Sequence, residues 1–434
     1  MASFENNHTI ELALLNMFPG FTLACAADVM LEQKMGFSGA FVQELKCSWK
    51  RTESGEVDPV PIASPPERLF VKVISFPELP PSTPESTRLK TIRNIQTYRN
   101  EIAFLEHYAP DIRTKAGVII PMCYKWTCSD GCSNESFMFI SESVSGYGKQ
   151  LAEFSLEDIA LTLEALARVH ALFFNSVGHL DDVYSDETGS VDVHSSNERG
   201  VWCLGSHLAL SKRASSELEK LPAVWDALCA SFGWNEFAGL GTRLFDVATY
   251  VAGQLSTFAK VNKGKLTLTH NDIKAANVFF VGDDDCNSVC LIDFQWTGLG
   301  LAATDIFYLV ATSCSDDCIR GLSAEEVILK PYYQRFVGAY VAYDNPVDKN
   351  PPEELEMYRY SEFRRHYMMA ALDYMRWLVP YRLDNETPTK YAARREKVDI
   401  NVPTYKRSEV VLRYLFTVTQ EYLPEIELEM QIQK

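Results

Sequence analysis

The sequence lacks the marks of a membrane-spanning, nucleic-acid-binding or exported protein. No run of about eighteen uninterrupted apolar residues occurs, so no transmembrane helix is expected. Residues 1–30 have neither a basic start nor a long apolar stretch, so no secretory signal is expected. Positive charge is scarce: 41 Lys and Arg stand against 58 Asp and Glu, a net charge of −17. That balance disfavours nucleic acid or an anionic membrane as the main partner, because both require clustered positive charge. No C-x-x-C pair is present. The 11 cysteines are odd in number and spread along the chain, which suits reduced thiols and a cytoplasmic protein. Three cysteine pairs have C-x-x-x-C spacing (Cys128/Cys132, Cys286/Cys290 and Cys314/Cys318), which is not the zinc-ribbon pattern.

What is present is an ordinary globular composition, 47% hydrophobic and 23% charged. The first third reads as strands with one long helix. Leu69, Val71 and Val73 interleave with Phe70, Lys72 and Ile74, a short strand buried on both faces. A Pro-rich linker spans Pro77 to Pro84. Ile92, Ile95, Tyr98, Ile102 and Leu105 then recur at helical steps. Val118–Ile120 and Phe137–Ile140 read as two strands joined by a polar loop over 126–136.

Beyond residue 155 the pattern is mainly helical. Ser155 can cap a helix striped by Leu156, Ile159, Leu163, Leu166, His170 and Phe173. Residues 181–200 form an acidic, Ser-rich insertion, and helical patterns resume over 207–231 and 242–260. Three short strands interrupt them: Leu266–Thr269, Val278–Val281 and Val289–Ile292. The last two flank the polar turn Gly282-Asp283-Asp284-Asp285, which predicts a hairpin. Strands with one helix, followed by helices with a small strand insert, predict two unequal lobes with a cleft between them.

The chemistry concentrates in Thr269-His270-Asn271-Asp272-Ile273-Lys274-Ala275-Ala276-Asn277-Val278 and in Leu291-Ile292-Asp293-Phe294-Gln295. His270, Asp272 and Asn277 fall on a loop between two strands, and Asp293 falls just beyond a third. Phosphoryl transfer needs such parts: a carboxylate at the acceptor hydroxyl, and oxygen ligands for a magnesium that bridges nucleotide phosphates.

This pattern resembles the protein-kinase-like superfamily, and within it the ecdysteroid-kinase-like and choline-kinase-like small-molecule kinases, relatives of the aminoglycoside phosphotransferases. The resemblance runs from about residue 35 to 345. Tyr98-Arg99-Asn100-Glu101 resembles the family's Glu-bearing helix, and Ile120-Pro121-Met122-Cys123-Tyr124 the start of its next strand. Leu166-Ala167-Arg168-Val169-His170-Ala171, Asp293-Phe294-Gln295 and Asp305-Ile306-Phe307-Tyr308-Leu309 resemble three further motifs. The resemblance implies an α+β, protein-kinase-like fold with a small antiparallel-sheet N-lobe (1–143) and a larger, mainly helical C-lobe (144–434). It implies ATP and Mg2+ as cofactors and a small-molecule acceptor with a hydroxyl group. Asp272 would be the catalytic base, with Lys274 and His270 beside it, and Asn277 and Asp293 would ligate magnesium. Lys72 would hold the α and β phosphates and pair with Glu101, for which Glu106 is the competing choice. Adenine would meet the backbone of Ile140, Ser141, Glu142 and Ser143, and Gly36, Ser38 and Gly39 stand where a phosphate-covering turn belongs. His270 reads better as loop scaffold than as an acid or base, His170 as a core histidine, and Asp305 as a brace.

The Asp272-Ile273-Lys274 stretch also fits protein Ser/Thr kinases, whose loop reads D-x-K-x-x-N. Only twelve positions separate Asp293 from Asp305, however, and no A-P-E anchor follows, so a peptide-docking platform has no room. A catalytically inactive, nucleotide-binding pseudokinase is the other alternative, but Lys72, Asp272, Asn277 and Asp293 are all present. The acceptor pocket is expected among C-lobe aromatics, with Tyr332, Tyr333, Phe336, Tyr340, Tyr374 and Trp377 as candidates. The acceptor could be an alcohol, an amino alcohol, a sugar or a steroid-like compound.

Overall fold

The computed structural model describes residues 10, 13–14, 17–18, 21–28, 33–35, 40–51, 65–76, 79–130, 135–175, 196–282, 288–344 and 352–432. Gly36, Ser38 and Gly39, Cys132, Cys286, Asp283–Asp285 and most of the acidic insertion lie outside these residues. The fold is α+β, and the chain forms two compact units: Met1–Ile102 with Pro121–Gly148, and Ala103–Ile120 with Lys149–Lys434.

The first unit is built on an antiparallel sheet. Its strands are β1 (Phe21–Asp28), β2 (Gln33–Met35), β3 (Ala40–Arg51), β4 (Arg68–Phe76), β5 (Cys123–Asp130) and β6 (Glu135–Glu142). The order is β1-β3-β4-β6-β5, with β2 also on β3. Because β4 is central, alternate residues serve opposite faces. Leu69 and Val71 join Leu45, Met138 and Ile140 in one core. On the other face Phe76, Phe137 and Phe139 meet Tyr98 of helix α1 (Glu85–His107). Lys72 shares that second face, so the strand's alternation delivers its side chain to the helix.

Two expectations about strands change. The partner of β6 is Cys123–Asp130, whose start matches the strand expected after Ile120 but whose later residues fall in what read as the loop 126–136. It is the terminal strand of the sheet; Tyr124 packs on the core, but Trp126 is 37% exposed and Thr127–Asp130 are small or polar, so this half carries no apolar alternation to detect. Val118–Ile120 is instead a buried connector counted with the second unit, where the Ile119 carbonyl accepts from the Leu291 amide at 3.0 Å. Within that unit Phe104 stacks on Phe294 at 3.8 Å, so 103–120 packs with the second unit's core.

The second unit is mainly helical: α2 (Leu156–Phe173), α3 (Leu221–Phe232), α4 (Leu240–Leu255), α5 (Ala302–Ser313), α6 (Lys330–Asp344), α7 (Tyr360–Arg382), α8 (Pro388–Glu396) and α9 (Glu409–Ile432). Ser155 caps α2 in a reciprocal box with Asp158. Four short strands sit among the helices. β7 (Thr267–Thr269) pairs with β10 (Gly298–Gly300), and β8 (Val278–Val281) pairs with β9 (Ser288–Leu291) in the expected hairpin. The two pairs fix both ends of the loop 270–277. Gly298 allows the close approach of a further segment: a Cβ there would lie 2.7 Å from the Trp202 carbonyl and from Gly205 Cα. Among the described residues, no helix is long and apolar enough to cross a membrane.

Candidate active site

In the first unit, Lys72 Nζ lies 2.9 Å from Glu101 Oε2, and only 16% and 11% of the two side chains are exposed. The ammonium also stands over the rings of Tyr98 and Phe139 at 5.0 and 5.6 Å. Glu106 instead points outward beside His107, at 3.8 Å. Ile140, Ser141 and Glu142 belong to the β4–β6 ladder. The Glu142 amide donates to Met122 and the Ser143 amide to Arg68. The Ser143 hydroxyl donates to Glu44 Oε1 at 2.8 Å.

In the second unit the loop 270–277 folds around Asp305, a buried residue in the first turn of α5. Its Oδ2 accepts from the His270 amide at 2.7 Å and from His170 Nε2 at 3.1 Å. Its Oδ1 accepts from the Asn271 amide at 2.8 Å. Burial alone would raise the carboxyl's pKa, but the hydrogen bonds from His170 and from the His270 amide hold it below the ordinary range. His170 Nδ1 is in turn 2.7 Å from the Tyr332 hydroxyl. Both nitrogens of His270 are committed to backbone: Nδ1 accepts from the Asp272 amide at 3.3 Å, and Nε2 donates to the Ile292 carbonyl at 3.0 Å. Its ring therefore supports the loop.

Asn271 and Asp293 adopt left-handed backbone (φ +64° each), a conformation that Asn and Asp tolerate better than most residues. Asn271 is tied down by its side-chain amide, which donates to Thr269 Oγ1 at 2.8 Å and to the Trp296 carbonyl at 3.2 Å. Gly205 leaves room for that amide, since a Cβ there would lie 2.1 Å from it.

Asp272 is the buried centre of the loop. Its Oδ1 accepts from the Tyr308 hydroxyl at 2.7 Å; its Oδ2 accepts from Lys274 Nζ at 2.7 Å and from Asn277 Nδ2 at 3.3 Å. Burial and the neighbouring carboxylate push the Tyr308 phenol well above its usual pKa, so it remains a donor. Burial works against the charge on Lys274, but Asp272 and Asp293 outweigh it and hold the pKa above the usual lysine value. Asn277 Nδ2 also donates to the Asp272 carbonyl at 2.8 Å. With that nitrogen turned toward Asp272, the side-chain Oδ1 of Asn277 accepts no hydrogen bond among the described residues. A presented amide oxygen and the nearby Asp293 carboxylate are hard donors of the kind magnesium takes. Among the described residues no three His, Cys, Asp or Glu side chains converge. A sparse donor set of this sort fits an ion whose remaining ligands are phosphate and water.

A model of the ecdysteroid kinase-like family matches residues 80–341, more than half of the chain. The chain belongs to the ecdysteroid kinase-like family. The matched span includes Glu101, the loop 270–277, Asp293 and Asp305. No curated protein matches this family member. Among solved structures its fold is similar to a choline kinase from Cryptosporidium parvum (10% identity, 98% of this chain and 97% of that one, TM-score 0.42). It is also similar to a microcompartment-associated aminopropanol kinase (11% identity, 98% and 97%, TM-score 0.40) and to a Plasmodium vivax ethanolamine kinase (14% identity, 90% and 81%, TM-score 0.38).

The aromatic residues expected to line an acceptor pocket separate into two groups. Tyr332, Tyr333 and Phe336 pack with Phe363 or Tyr358, and Tyr340 packs on Phe174. Tyr374 and Trp377 instead lie on the side of Tyr308, the hydrogen-bond partner of Asp272: Tyr374 is 5.5 Å from Tyr308, and Trp377 is 5.3 Å from His207. Sequence reasoning overlooked Tyr308 as a partner of Asp272, and His207, Trp296 and Arg382 altogether. Nothing local singles them out, because their importance comes from packing between distant segments.

Proposed function

We propose that this protein is an ATP- and magnesium-dependent phosphotransferase that moves the γ-phosphate to a hydroxyl of a small molecule, acting in the cytoplasm. The observation that carries this reading is the state of Asp272. A carboxylate offers about four lone-pair positions. Lys274 and Asn277 take those of Oδ2 and Tyr308 takes one on Oδ1, which leaves one Oδ1 position for an acceptor hydroxyl. The acceptor oxygen attacks the γ-phosphorus while its proton passes to Asp272. The new O–P bond forms as the bond to the β,γ-bridging oxygen breaks, and ADP leaves with that electron pair.

Asn277 and Asp293 would hold magnesium, which when bound neutralises charge on the nucleotide phosphates. Lys274, kept charged by its two carboxylate neighbours, serves the phosphoryl group in transfer. Lys72, oriented by Glu101, serves the α and β phosphates, and the backbone of Ile140–Ser143 serves adenine. His270 positions the loop, since neither ring nitrogen is left for a proton in transit. Membership of the ecdysteroid kinase-like family supports the same reading.

The test is Asp272→Asn, assayed with labelled ATP against a metabolite extract. Loss of a general base predicts a fall in turnover of about 10²–10⁴, with Mg-ATP affinity nearly unchanged. Full transfer by that variant would refute the mechanism. Binding of Mg-ATP by the wild type without consumption across a broad acceptor panel would favour a pseudokinase.

A further inference from the structure

Rings lead from the proposed base to an arginine. The Tyr308 ring lies 5.5 Å from Tyr374 and 6.4 Å from His207. Trp377 touches both of those, at 5.6 and 5.3 Å, and Trp296 covers His207 at 4.8 Å. Over Trp377, at 5.7 Å, sits the guanidinium of Arg382, which also stands 5.2 Å from the Tyr381 ring. The path runs from buried rings to the surface. Trp377 and Tyr374 are buried, His207 and Trp296 half-buried, and Tyr381 and Arg382 exposed.

Arg382 makes no hydrogen bond and no ion pair among the described residues. Asp373 pairs with Arg376 at 2.7 Å, Glu386 with Arg394 at 2.8 Å and Glu217 with Arg213 at 2.8 Å, and exposed Asp384, two positions on, makes no pair with Arg382. Arg213 itself lies over the same Tyr381 ring, at 4.2 Å. An unpaired guanidinium here runs against a composition with 58 acidic and 41 basic residues. Its charge also reaches inward, opposing protonation of Lys274.

A cationic acceptor would have two sources of attraction in such a place, a free carboxylate or an open ring face. Asp272 has one lone-pair position left, and the acceptor hydroxyl needs it. The faces of Trp377 and Tyr381 are engaged by Arg382 and Arg213. We infer that Arg382 selects the acceptor of the proposed reaction: a ring-bearing alcohol with an anionic group is preferred over a cationic amino alcohol. Half-buried His207 and Trp296 supply apolar contact area, and the guanidinium supplies a forked donor for a carboxylate, sulfate or phosphate. This inference rests on the kinase reading for the identity of the acceptor site, but its test does not require transfer.

Three probes share a benzyl alcohol and differ in the charge of the para substituent: 4-(hydroxymethyl)benzoate, 4-(hydroxymethyl)benzamide and 4-(aminomethyl)benzyl alcohol. Their binding to the full chain, read by quenching of tryptophan fluorescence, should be tightest for the carboxylate and weakest for the ammonium. Arg382→Ala should weaken the carboxylate about tenfold or more while leaving the amide within about twofold, as for loss of a charged hydrogen-bonding partner. Arg382→Lys should restore part of that preference, and Arg382→Glu should invert the order. An absence of charge preference in the wild type, a preference for the ammonium, or an unchanged order in Arg382→Ala would overturn the inference. Charge-ordered binding without any ATP consumption would sink the kinase reading alone, and ATP consumption without charge order would sink this inference alone.

Discussion

Replacing Asp305 with alanine tests whether one buried carboxylate holds the loop 270–277 together. The side chain is fully buried and accepts three hydrogen bonds, from the His270 and Asn271 amides and from His170 Nε2. Alanine would leave those three donors without a partner where His170, His270 and Asn271 are themselves 0%, 2% and 5% exposed. At about 1–3 kcal/mol per unsatisfied donor the sum is roughly 3–9 kcal/mol. Water entering the vacated space recovers part of it, so about 3–5 kcal/mol is expected. That is a large share of the roughly 5–15 kcal/mol typical of a folded domain. Asparagine keeps one carbonyl oxygen and should lose about half as much. Urea denaturation at pH 7, followed by far-ultraviolet circular dichroism, measures both. The pH dependence supplies an independent check. Because the folded pKa of Asp305 is depressed, its contribution is complete above the unfolded value of about 3.9 and is lost as pH falls through the lower folded value. The gap between wild type and Asp305→Ala should therefore narrow below about pH 4. A loss under about 1 kcal/mol at pH 7, or a gap that widens in acid, would refute the bracing role.

Three other outcomes are expected. Tyr308→Phe removes one hydrogen bond to a buried carboxylate, so kcat should fall about 10- to 100-fold with the KM for ATP unchanged; an unaltered kcat would remove Tyr308 from the positioning of Asp272. Lys72→Ala should raise the KM for ATP about tenfold or more and lower stability, because Glu101 stays largely buried without its cation; unchanged ATP dependence would show that another cation serves the phosphates. His366, whose pKa is pushed down to about 3 by burial and by the charges of Arg365 and Lys265, stays neutral in the fold while the unfolded chain protonates near 6.5. Stability should therefore drop as pH falls from 6.5 toward 3, and denaturation midpoints should show a shallower decline in His366→Gln; an equal slope in both proteins would exclude His366 as the cause.

The sequence by itself determined the parts whose signal is local. Alternation in Leu69–Ile74 marked the central strand, and Ser155 marked the start of α2. The spacing of His270, Asp272, Asn277 and Asp293 marked the loop and the residue after the third strand, because strand alternation, capping and turn chemistry all act over a few residues. Glu101 and Glu106 looked alike in sequence, since both flank the same helical stripe. Tertiary structure separated them by aiming only Glu101 at the face of β4 that carries Lys72. The second half of the strand Cys123–Asp130 was illegible because the polar end of a terminal strand is specified by its neighbour's ladder more than by its own side chains. Tyr308 on Asp272, His170 on Asp305, and the ring path from His207 to Arg382 join residues 36 to 175 positions apart. No local pattern encodes such pairs. They exist because each buried polar group must find a partner, and only the packed core decides which one is within reach.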